Sequence, residues 1–130
     1  MNFVTITHCP PSGHAPPLPT EPEAHEFEVP TRISTPDELA QAALAFLPLD
    51  PPISTRLNWD ALADSLFEGL SAVPAPNIAV RLLIDERALN GPLRLLPEVL
   101  EDVGAALSSE ELAPEYRHRV HFFIDTYTNL

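Results

Sequence analysis

The stretch Asn77-Ile78-Ala79-Val80-Arg81-Leu82-Leu83-Ile84 constrains the fold of this chain more than any other. It is apolar nearly throughout, follows Pro74 and Pro76, and ends at Asp85-Glu86-Arg87. A short run bounded in this way, apolar on both sides of a pleat, reads as a strand covered on both faces, which is the place of a strand in a parallel sheet. Residues 119–125 (Arg-Val-His-Phe-Phe-Ile-Asp) read as a last strand, and the alternating His25-Glu26-Phe27-Glu28-Val29 as an earlier short one limited by Pro30.

Helical patterns fill the gaps between these strands. Thr35-Pro36-Asp37-Glu38 joins a capping residue, a proline suited to the first helical position and a glutamate three residues after the cap, so a helix starts here. Leu39, Ala43, Phe46 and Leu47 continue it on one face until Pro48. Asn58 caps a second helix, in which Trp59, Leu62, Leu66 and Leu70 recur at three- and four-residue spacing with Phe67 alongside. Leu93, Leu96, Leu100, Val103 and Leu107 mark a third, with Pro97 in its first turn or at a kink, and Ser108-Ser109-Glu110-Glu111-Leu112 could cap a brief further turn. The order strand, helix, helix, strand, helix, strand predicts an α/β fold: a small three-stranded parallel sheet packed with helices through right-handed crossovers.

Residues 1–24 read differently from residues 25–130, which form the expected domain. Six prolines between positions 10 and 22 favour extended conformations and bar a helix or central strand. This is a Pro-rich arm or linker, and Phe3-Val4-Thr5-Ile6-Thr7 before it could add an edge strand.

Composition narrows the function classes. The 130 residues suit one domain, and no run is apolar enough to span a bilayer. The N-terminus lacks a basic region followed by an apolar stretch, so it does not read as a secretory signal. Cys9 is the only cysteine, which excludes an internal disulfide, fits a cytoplasmic protein and argues against thiolate metal sites. Nineteen acidic residues stand against seven arginines and no lysine, a formal net charge of −12. Such a surface is repelled by nucleic acid and attracts basic partners. The expected partner is a protein, with no nucleic acid, no membrane and no cofactor, and the chain is expected as a monomer that forms a heterodimer with its target.

Asp60, Asp64 and Glu68 follow at four-residue spacing, so the second helix carries a row of carboxylates with no basic residue in the helix to neutralise it. A charge run on a helix is ordinarily a solvated face; the functional alternative is a recognition edge for Arg and Lys. Trp59 can be core or a binding anchor. His118 and His121, three apart near a strand, fall on opposite faces and form no evident metal pair, and His8 with Cys9 is weaker still. The chain has only four glycines and no glycine-rich phosphate loop, and neither a Ser, His and Asp arrangement nor a cleft holding paired carboxylates stands out, so no catalytic residue is expected.

The segment Leu57-Asn58-Trp59-Asp60-Ala61-Leu62-Ala63-Asp64-Ser65-Leu66 resembles the second-helix motif of the barstar family, in Asn58, Asp60, Ala61, Leu62, Asp64 and Leu66. The stretch from Ile33 to Leu39 resembles the start of that family's first helix, and the likeness covers roughly residues 25–126. The resemblance implies a barstar-like fold and a bacterial immunity protein that blocks a cognate toxin, a nuclease or another toxin with a cationic active site. It implies partner-binding residues on the second helix: Asp60 and Asp64 foremost, with Asn58, Trp59, Ala63 and Glu68. Ser54, Thr55 and Arg56 stand where the family has aromatic and glycine residues, Ala63 stands for its usual Trp, and Glu101 or Asp102 are candidates for its third acid. The alternative expectation is a barstar-like adaptor or regulatory module without a toxin target.

Overall fold

The computed structural model describes residues 3–8 and 24–128. In chain order they form β1 (Val4–His8), β2 (His25–Ile33), α1 (Pro36–Phe46), α2 (Trp59–Ser71), β3 (Asn77–Asp85), α3 (Glu86–Leu89), α4 (Leu96–Leu107), a 3-10 turn (Pro114–Tyr116) and β4 (Arg119–Tyr127). The Pro-rich span lies outside the described residues.

The strands make one all-parallel sheet in the order β1-β4-β3-β2. The α/β class and parallel pairing are as expected, but the sheet has four strands where three were expected. Val4–His8 pairs along β4 from Val4 opposite Phe122 to His8 opposite Thr126. The Phe122 N–H donates to the Phe3 carbonyl at 2.8 Å, so β4 supplies backbone partners that this stretch cannot find alone.

β2 also runs further than expected, through Pro30 to Ile33. Its pairing with β3 shifts register between Glu28 and Arg32, so Pro30 sits within the irregularity. An edge strand tolerates such a proline because the missing N–H and the bulge face no second neighbour.

The steps β2 to β3 and β3 to β4 each move to the adjacent strand in the same direction. Right-handed crossovers then place α1, α2 and α4 on one face of the sheet. Ile78, Val80, Leu82 and Ile84 of β3 and Val120, Phe122 and Ile124 of β4 share one buried cluster with Leu62, Leu66 and Leu70 of α2 and Leu96, Leu100, Val103 and Leu107 of α4.

The caps follow the sequence closely. The Thr35 hydroxyl oxygen accepts the Glu38 N–H at 3.1 Å, and Glu38 reaches back to the Ser34 N–H and hydroxyl at 3.1 and 2.6 Å. Pro97 lies in the first turn of α4, but that helix starts at Leu96; Leu93 stays outside it, buried, with its N–H on the Ala88 carbonyl. Residues 108–112 form a turn without a helix, in which the Ser109 hydroxyl oxygen accepts the Glu111 N–H.

Candidate partner-binding face on the second helix

α2 is fixed from both ends and from beneath. Asn58 Oδ1 accepts the Ala61 N–H at 3.0 Å and closes the first turn. Leu62, Ser65, Leu66, Gly69 and Leu70 form its buried face. The backbone at Pro48 passes so close that a Cβ on Gly69 would lie 1.5 Å from the Pro48 carbonyl oxygen. One turn earlier the Ser65 carbonyl accepts the Asp50 N–H at 3.1 Å. The helix is therefore a rigid support, and its outer edge keeps a defined geometry.

Two ridges run along that edge. Asp60, Asp64 and Glu68 are all exposed, one turn apart. Beside them Trp59, Ala63 and Phe67 form a second four-residue row, each half-buried and packed on the core. Trp59 thus serves the core and still shows part of its ring surface. Phe67 completes the apolar row, and its spacing of four from Ala63 carries that signal in the sequence.

The surroundings set the electrostatics. No basic residue lies within α2, and Arg56 is exposed on the turn before it, where the Ser54 hydroxyl accepts the Arg56 N–H and donates to its carbonyl. Of the two acids considered on α4, Glu101 is turned to internal use: its carboxylate accepts the N–H of Phe3 at 2.8 and 3.0 Å and of Val4 at 2.8 Å. Asp102 is exposed.

The histidines go separate ways. His118 is buried just before β4 with its two ring nitrogens 2.8 Å from the Ala75 carbonyl and 3.0 Å from the Ser71 carbonyl. His121, half-buried, lies 2.6 Å from the Thr5 hydroxyl through Nε2, and its ring packs tilted against Phe123 with centroids 4.5 Å apart. Burial holds the His121 imidazolium below its ordinary range, and the Glu101 carboxylate partly opposes that. Among the described residues no three His, Cys, Asp or Glu side chains gather as metal ligands, and no helix is long and apolar enough to cross a membrane.

A cavity of about 300 Å³ lies between β2 and α1, bordered by Thr31, Arg32, Glu38, Gln41 and Phe46. A second, of about 370 Å³, lies at the start of β4. Neither is lined by Asp60, Asp64 or Glu68, so these carboxylates stand on an open helix edge and outside both cavities.

Compared with family models, with curated proteins and with solved structures, the chain finds no match.

Proposed function

We propose that this chain is an inhibitor of the immunity-protein type, with a barstar-like fold, that docks a basic protein partner on the exposed edge of α2. The observation that carries the reading is the pairing of two ridges on one rigid helix: Asp60, Asp64 and Glu68 in solvent beside the half-buried row Trp59, Ala63 and Phe67. Aromatic anchors flanked by charge suit a protein interface. Asp64 and Glu68 are also poorly placed for stability, whereas Asp60 in the first turn suits the helix dipole. Like charges four apart repel, and Glu68 lies toward the helix end that disfavours negative charge. Residues that break a local rule without internal compensation are expected where function requires them.

A nuclease or other toxin that holds phosphate or another anion in a cationic cleft is the partner of matching chemistry. The carboxylates would pair with its Arg and Lys groups, and binding would block the cleft. Association is then fast and weakens with added salt.

The test is capture of partners from the native host by the tagged protein, beside an Asp60→Arg, Asp64→Arg double variant and a Glu26→Arg control on β2. The reading expects one toxin-like protein retained by wild type and control and lost by the double variant. Equal retention by all three would overturn the α2 face. A retained partner without toxic activity would overturn the inhibitor role in favour of an adaptor.

A further inference from the structure

Residues 117–121 read Arg-His-Arg-Val-His, which concentrates two of the seven arginines and two of the five histidines in one pentapeptide of a chain with a net charge of −12. The fold gathers this segment around the 370 Å³ cavity at the start of β4, where Arg117, His118, Arg119 and His121 meet Phe3 and Val120. Among the described residues that line it there is no carboxylate. The volume is that of a small-molecule site.

The Arg117 and His118 side chains are held by contacts visible in the fold. Arg117 donates from Nε to the Leu112 carbonyl and from Nη2 to the Glu110 carbonyl, both at 2.8 Å. These bonds fix the plane of the guanidinium without neutralising it, and of its five N–H donors they use two. His118 faces a carbonyl from each ring nitrogen. One of those carbonyls belongs to Ser71, the last residue of α2. Arg119 is exposed, and its backbone N–H is tied to the Pro76 carbonyl at 2.8 Å. Glu101, the carboxylate that acts on His121, is committed to the N–H groups of Phe3 and Val4.

We propose that this cavity binds a small organic anion, its carboxylate or phosphate held by the Arg117 and Arg119 guanidinium groups and its apolar part lying against Phe3. Forked guanidinium donors suit either headgroup, and the apolar wall favours a ligand with a ring or short chain over a bare ion. The site lies on β4, not on the acidic edge of α2, and stands or falls separately from the inhibitor reading.

The experiment is an NMR titration of the full chain with phenyl phosphate, benzoate and inorganic phosphate, following the His118 and His121 ring signals and the Arg117 Nε–H. Saturable shifts confined to these groups are expected, with phenyl phosphate or benzoate bound more tightly than inorganic phosphate; which of the two is tighter identifies the headgroup. Arg119→Gln should weaken binding about tenfold, the loss of one charge-assisted contact. Ser108→Phe, which fills the cavity without removing a charge, should abolish it. Shifts that rise linearly and appear equally at Arg87 and Arg94 would overturn the site, as would unchanged affinity in both folded variants.

Discussion

Glu101 on α4 holds Phe3 at the start of β1: its carboxylate accepts the Phe3 N–H at 2.8 and 3.0 Å and the Val4 N–H at 2.8 Å. One turn further on, Gly104 leaves the room that Phe3 occupies, for a Cβ there would come within 2.7 Å of the Phe3 Cβ and Cγ. The edge strand is therefore attached by two residues of one helix as well as by β4. Glu101→Ala leaves two N–H groups without their acceptor, each worth about 1–3 kcal/mol if it stays out of water. Faster hydrogen exchange at Val4 and its β1 neighbours, with β3 unchanged, is the expected outcome. Uniformly faster exchange across the sheet would mean that Glu101 supports the whole core and not β1 alone.

The same contact explains what was and was not legible in the sequence. α1, α2, β3 and β4 announce themselves through local signals: the Thr35-Pro36 start, the Asn58 cap, and two apolar runs. β1 shows strand character locally in Val4-Thr5-Ile6-Thr7, but its pairing depends on partners some hundred residues away in Glu101 and Phe122, and no window around Phe3 contains them. Pro30 reads as a stop because a central strand cannot carry it; only the strand order shows that β2 is an edge. The acidic row on α2 was fully legible from spacing. The cationic cavity was not, because its residues read as two isolated histidines until the fold joined them to Arg117, Arg119 and Phe3.

Gly69 offers a sharper test of packing. On helix propensity alone Gly69→Ala should stabilise α2 by about 1 kcal/mol. The Pro48 carbonyl oxygen 1.5 Å from the new Cβ forces α2 and the 48–49 backbone apart, so the variant should instead lose about 3 kcal/mol or more. Urea denaturation of the two proteins decides the sign.

Glu38 gives a pH prediction. Hydrogen bonds from Ser34, chiefly from its hydroxyl, hold the Glu38 carboxyl below the usual carboxylate range. A depressed folded value means stability that is present above the ordinary glutamate value of about 4.3 and is lost as pH falls through the folded value. Glu38→Gln lacks this component. The stability difference between wild type and variant should shrink as pH is lowered through the acid range, and only slightly, since Glu38 is exposed and screened. A difference that grows on acidification would contradict the assignment.

Across β3 and β4, Arg81 Nε donates to Asp125 Oδ2, and both side chains are largely withdrawn from water, at 12% and 5% exposure. The register sets Arg81 opposite Phe123 and Leu83 opposite Asp125, so the pair spans the two strands diagonally on one face. The strand periodicity puts this on the face away from Ile78, Val80, Val120 and Phe122. Asp125→Ala leaves the guanidinium in place without its carboxylate, and breaking such a pair from one side costs about 3–5 kcal/mol. Replacing both partners by apolar residues, Arg81→Met with Asp125→Leu, removes the buried charge as well and should recover most of that loss. Thermal unfolding of the two single variants and the double variant closes the cycle. A double variant as unstable as the sum of the singles would show that each side chain acts through other neighbours, and that the ion pair itself does not join β3 to β4.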